Sequence, residues 1–170
     1  GFKCLCTANL PDPAIAKPEL HFDIVTYSGD GGTKTISGLG FDPDMVWSKS
    51  RSAGAISHII YDAVRTAGPD KGINTDLSRA MGACYDGATG TYFGHISAFT
   101  SDGYTVVNGN QSTGYVNYSS HAYVGWAWEA DTTASGTWGA NSKAYSRRTN
   151  ATAGFSIIEF TADGSTGIPG

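Results

Sequence analysis

Two pairs of carboxylates have the spacing for joint chemistry. Asp42 and Asp44 flank Pro43, and Glu129 and Asp131 repeat the same one-residue gap after a tryptophan-rich run. Paired carboxylates are the equipment of glycoside hydrolysis, where one protonates the leaving oxygen and the other attacks or activates water. An Asp-Pro-Asp ahead of an apolar run suits turn and capping hydrogen bonds better, and Glu129-Ala130-Asp131 reads the same way, so neither pair is assigned catalysis. The histidines His21, His58, His95 and His121 lack the His-x-His or His-x-x-x-His spacing that gathers a metal. Asp30 and Asp102 sit beside glycines without the dense aspartate ladder of a calcium loop and read as turn formers. Cys4 and Cys6 alternate along an extended segment without two further ligands, so they and Cys84 read as small buried hydrophobes. No metal and no cofactor is expected. The chain has no Gly-x-Ser-x-Gly elbow, phosphate loop or Gly-x-Gly-x-x-Gly turn on which to hang a hydrolase, nucleotidase or redox reading.

Binding by stacking is the remaining chemistry. Trp138 stands between glycines in Gly136-Thr137-Trp138-Gly139, where an exposed indole would stack on a sugar or on a neighbouring subunit, or anchor its own loop. Tyr115 and Tyr118, set among Asn and Ser, are weaker candidates for the same role. Trp47, Trp126 and Trp128 lie in expected strands and, with Phe99 and Tyr104, are the expected core.

The elements that must position these residues read as strands and turns. Residues 1–21 form an extended connector, because Pro11, Pro13 and Pro18 remove amide donors. Period-2 alternation starts at Asp23-Ile24-Val25-Thr26-Tyr27, breaks at Ser28-Gly29-Asp30-Gly31-Gly32 and resumes through Thr33-Lys34-Thr35-Ile36, which predicts a hairpin. Further strands are expected at 45–49, 56–62, 92–96 and 98–107, the last bent at Ser101-Asp102-Gly103. The most apolar is Ala122–Trp128, expected at the centre of a sheet with Trp126 and Trp128 on one face and Tyr123, Gly125 and Ala127 on the other. Asn74-Thr75-Asp76 caps a short helix, or an irregular crossing, over 77–81. Residues 132–153 lose periodicity and read as a loop or linker. The expected architecture is all-β, a two-sheet antiparallel sandwich of the jelly-roll kind over 22–131, followed at 154–170 by a first strand of another repeat or a closing strand.

Composition narrows the function classes. Charged residues are 15% of the 170-residue chain, glycines number 23 and the net charge is −4. With no basic stripe to neutralise phosphates, nucleic-acid binding is not expected. No apolar run approaches the roughly 20 residues of a membrane span and no export signal is visible, so the expectation is a soluble chain without membrane insertion. Gly1 is no initiator methionine and the chain breaks off at Ile168-Pro169-Gly170, so it reads as an excerpt of a longer protein.

A repeat gives that excerpt a context. Phe22-Asp23-Ile24-Val25-Thr26-Tyr27-Ser28-Gly29-Asp30-Gly31-Gly32-Thr33 returns as Phe155-Ser156-Ile157-Ile158-Glu159-Phe160-Thr161-Ala162-Asp163-Gly164-Ser165-Thr166, at a constant offset of 133. That pattern predicts one unit of a tandem array.

Four stretches also carry a resemblance: Gly38-Leu39-Gly40-Phe41-Asp42-Pro43-Asp44-Met45-Val46-Trp47-Ser48-Lys49-Ser50-Arg51, Tyr61-Asp62-Ala63-Val64-Arg65, Phe99-Thr100-Ser101-Asp102-Gly103-Tyr104-Thr105-Val106 and Tyr123-Val124-Gly125-Trp126-Ala127-Trp128. Together they resemble a repeat domain of tail-fibre and other structural proteins of tailed bacteriophages, marine phages especially. The leading Gly1-Phe2-Lys3-Cys4-Leu5-Cys6-Thr7-Ala8-Asn9-Leu10-Pro11 resembles the exit from a SPRY-like domain. The resemblance implies a concanavalin-like or laminin-G-like sandwich in a virion protein, non-enzymatic, with spacer, assembly or receptor-binding duty. Its implied partners are other virion proteins, sister chains in a homotrimer and host surface glycan, and its implied location is a tail appendage. A capsid-surface decoration protein and a polysaccharide depolymerase domain are the alternatives. The segments 65–84 and beyond Asp131 depart from the pattern.

Overall fold

The computed structural model of the chain describes residues 14–82, 85–86, 91–138 and 143–162. Its strands in chain order are β1 Phe22–Ser28, β2 Thr33–Ser37, β3 Met45–Ser50, β4 Ile59–Asp62, β5 Ile73–Asn74, β6 Tyr85–Asp86, β7 Thr91–Tyr92, β8 His95–Thr100, β9 Gly103–Val107, β10 Ala122–Trp128, β11 Thr132–Trp138, β12 Lys143–Asn150 and β13 Phe155–Phe160. Among the described residues no α-helix forms, and helical geometry is limited to a 3-10 turn at Pro18–Leu20. Every pairing between these strands is antiparallel. The protein is all-β.

β10 lies inside a five-stranded sheet ordered β1-β10-β3-β4-β5, between β1 and the central β3 and so one place from the expected centre, and β2-β9-β8 form a second sheet. Alternation along β10 turns Tyr123, Gly125 and Ala127 inward. They meet Tyr27, Val46, Ile59 and Tyr61 from their own sheet and Ile36, Ile96, Tyr104 and Val106 from the other, in one buried cluster closed by Leu39, Phe41, Ile56, Tyr115 and Val116. Gly125 decides how near the sheets come. A Cβ there would lie 2.1 Å from the Tyr104 hydroxyl oxygen, so a side chain at 125 and that ring cannot share the space. The Tyr27 ring stacks on Tyr123 at 5.3 Å and meets Tyr104 edge-on at 6.5 Å. Its hydroxyl donates to the Val116 carbonyl at 2.7 Å, and that of Tyr123 donates to the Gly114 carbonyl at 2.8 Å. Burial pushes these phenols up, Tyr123 to about 12.

Three expectations change. Strands β1 and β2 do not form a hairpin: β1 pairs with β10 and β2 with β9, in different sheets. The glycine segment between them is bolted to the loop before β10, where buried Asn117 donates to the Asp30 carboxylate at 2.9 Å and to the Gly32 carbonyl at 2.9 Å. That anchorage carries the chain from one sheet to the other. By contrast, Ser101-Asp102 does join β8 to β9 as an antiparallel hairpin.

Trp47, Trp126 and Trp128 are half-buried, not core. The face of β10 opposite Gly125 is the outer face, and there Trp126 pairs with Trp47 at a ring distance of 5.3 Å. Phe99 is half-buried against the core cluster, while Tyr104 is fully buried.

The stretch 132–153, expected as a loop, holds β11 and β12, which pair with each other and with β13 in a three-stranded sheet. Nearly all of β11 is exposed, so it has no apolar alternation to read.

Of the two alternatives over 77–81, the chain takes the irregular crossing. The segment before it is held by Arg65, which donates from Nε to Asp62 at 2.7 Å and from Nη1 to the Lys71 carbonyl at 3.0 Å. Cys4, Cys6, Cys84, the connector up to residue 13 and the turn of the second repeat copy beyond Ala162 lie outside the described residues.

Candidate functional site

All four carboxylates of the two sequence pairs come together at one corner of the five-stranded sheet. There the chain leaves β10 through Glu129-Ala130-Asp131, while His21 precedes β1, Asp42 and Asp44 precede β3, and β12 brings Arg148 and Asn150 across. They line or underlie a cleft of about 450 Å³.

Asp44, only 2% exposed, is built into the backbone around it. Its Oδ2 accepts the Ala130 N–H at 2.6 Å, its N–H donates to the Trp128 carbonyl at 2.7 Å, and its carbonyl accepts the Ala63 N–H at 2.8 Å. The Arg148 guanidinium pairs with Oδ1. Glu129 Oε2 accepts a hydrogen bond from His21 Nδ1 at 2.8 Å and another from the Asn150 amide, whose own oxygen accepts the Ala153 N–H at 2.8 Å. A general acid or nucleophile must present an oxygen to its substrate. Both oxygens of Asp44 are instead committed to the protein, as is Oε2 of Glu129. Asp42 and Asp131 line the same cleft and are exposed. What this constellation does is tie four segments, distant in sequence, together at one corner.

The stacking candidates separate. Tyr115, expected at the surface, is 5% exposed and lies parallel to Phe93 at 4.8 Å inside the core; the Asn and Ser around it belong to a loop that is itself packed down. Tyr118 is half-buried, its ring 4.8 Å from that of His121 and its N–H donating to the Tyr123 hydroxyl at 3.0 Å. Trp138 ends β11 instead of standing in a loop, and its indole lies parallel to Tyr145 at 4.3 Å and tilted to Phe160 at 6.2 Å.

Register explains this grouping. Tyr145 faces Gly136 on one neighbouring strand and Phe160 on the other, so its ring spreads over the glycine towards Trp138. The Arg147 guanidinium stands 5.8 Å from the centre of the Tyr145 ring. With Phe160 43% exposed, this is an aromatic surface with one cation, suited to stacking on a sugar ring or on another side chain. Sequence reading found Trp138 and missed Tyr145, Arg147 and Phe160. A strand pattern over 143–150 would have aligned them.

Residues 17–170 match a family described as a domain of unknown function (DUF7483). The chain belongs to that family. No curated protein and no solved structure matches it. In this DUF7483 module the described residues hold no grouping of three or more His, Cys, Asp or Glu side chains that could bind a metal ion. Two of its histidines pack on aromatic rings: His58 lies near Trp47 at 6.4 Å and His95 near Tyr92 at 5.3 Å. Burial lowers the pKa of His95 below its ordinary value.

Proposed function

We propose that this DUF7483 module is a non-enzymatic structural unit of a bacteriophage virion, repeated along a tail fibre or related host-facing appendage. The observation that carries the reading is the recurrence of the β1 sequence at β13. A strand that closes one unit while copying the sequence that opens it is the mark of an array built for reach and attachment. The resemblance of residues 22–130 to phage tail-fibre repeats supplies the virion. Commitment of the Asp44 and Glu129 oxygens to the protein's own groups favours structure over hydrolysis. We read the two facing sheets as a concanavalin-like, jelly-roll sandwich that follows a SPRY-like domain. In the assembled fibre three chains pack around an axis, and the surface of Trp138 and Tyr145 meets host glycan or a sister chain.

A density map of the intact particle tests this. Three copies around the axis of a tail appendage are the expected result. Density on the capsid shell would replace the reading with a decoration protein. Release of reducing ends from host glycan, abolished by Asp42→Asn or Glu129→Gln, would replace it with a depolymerase.

A further inference from the structure

The two copies of the repeat are strands in different surroundings, and the difference shows what β13 lacks. In β1, Val25 and Tyr27 point into the core, where Tyr27 is 9% exposed, and Phe22 and Ile24 point outward. The offset of 133 matches Val25 and Tyr27 with Ile158 and Phe160. Those two are 44% and 43% exposed. The outward pair, Phe22 and Ile24, matches Phe155 and Ile157. These already have a seat: the Phe155 ring stacks on Trp128 at 6.0 Å, and Ile157 lines a cleft with Ile60 and Ile73 of the outer face, at whose rim Ile158 and Phe160 also stand. Phe22 packs on the same Trp128, at 5.0 Å. Strand β13 therefore has its outward side lodged, while on its core-matching side Ile158 and Phe160 stay largely exposed, Phe160 touching the Trp138 ring at 6.2 Å. One of its edges pairs with β12, and the other is the end of its sheet.

We infer that β13 is the first strand of a second copy of this module and that the copy docks on it edge-on. The occupant is fixed by what β1 binds. β1 lies beside β10 in a register that sets Phe22 against Trp128, Ile24 against Trp126 and Tyr27 against Tyr123. β13 accepts the β10 of the following copy in the same register, Phe155 against its Trp128 and Phe160 against its Tyr123. Ile158 then faces its Gly125 and enters its core beside Phe160. The sheet β11-β12-β13 runs on into the five-stranded sheet of the next copy, so neighbouring modules share one continuous sheet instead of a flexible tether. The outer face carrying Trp128, Ile60 and Ile73 becomes the seat on which the next module is fixed. This inference rests on the array part of the proposed function and is independent of the virion part.

The test is a two-copy chain in which Thr161 is followed directly by Gly29 of a second copy, leaving β13 as the sole first strand of that copy. A control keeps the second copy's own β1. Both chains are expected to fold throughout. In the first, amide exchange at Ser156, Ile158 and Phe160 slows by about 100-fold relative to the single chain. Ile158→Glu lowers the melting of the second copy by more than about 5 °C and leaves the first copy's transition in place. A second copy that stays unfolded while the control folds, or that folds without protecting β13, overturns the inference. A capsid location for the particle protein would overturn the tail-appendage reading and leave this result untouched.

Discussion

Asp102 gives the fold an acid limit through a single exposed side chain. Its carboxylate accepts the Gly40 N–H at 2.8 Å and the Gly38 N–H at 3.0 Å, and these bonds, Gly40 first, hold its pKa below the ordinary value of 3.8. Asp30 is lowered likewise, by the Gly32 N–H first and then by Asn117. A carboxylate with a depressed folded-state pKa adds stability that is present above the unfolded value and lost as pH falls through the folded one. Melting temperature is therefore expected to drop below about pH 4. In the Asp30→Asn, Asp102→Asn variant that acid limb should flatten, with the neutral-pH melting temperature lowered; melts from pH 2 to 7 check both. At the buried carboxylate, Asp44→Ala strands the Ala130 N–H and the Arg148 cation and is expected to cost about 3 kcal/mol in urea unfolding. Crowding is the third test at this scale. Gly125→Ala should cost about 2 kcal/mol by overpacking, and Tyr104→Phe, which removes the clashing hydroxyl, should recover part of it in a double-mutant cycle.

Strands were legible where one face is buried and hidden where none is. β3 and β10 could be read because β-branched and aromatic residues alternate with small ones against a core. β11 is mostly exposed, and β12 is fully buried only at its polar ends, Lys143 and Asn150, so their pairing rests on backbone bonds and on register with β13, neither of which leaves an apolar period. The inside and outside of β10 could be separated by alternation, but which face was the core could not, since tryptophan is apolar enough for either; Gly125 and its contact with Tyr104 settle it. The carboxylate corner was legible as residue types and invisible as a place. It needs Asp44, Glu129 and Arg148, which only the tertiary fold brings together. Trp128→Ala tests the element scale, because that indole seats both copies of the repeat. It should cost about 2 kcal/mol, below the full cost of a buried aromatic because the ring is half-exposed, and should speed amide exchange along β13.

For the molecule as a whole, the path of the chain through its main sheet sets how it would bear load. The chain enters β1 at Phe22 and leaves β10 at Trp128, and these two residues are direct partners at the same end of the ladder. Tension applied through the two flanking segments would peel the pair open one rung at a time, the weakest direction in which to pull two strands apart. At that vulnerable end stand the His21–Glu129–Asn150 bonds and the Asp44–Arg148 pair. They act as a rivet at the mouth of a zipper: Asn150→Ala, which removes one of them, is expected to cost only about 1 kcal/mol of equilibrium stability, yet the force needed to start the tear, read by single-molecule stretching, should fall clearly. A fibre built from such units would owe its tensile strength to a few polar contacts at the corner of each sheet more than to the size of its core.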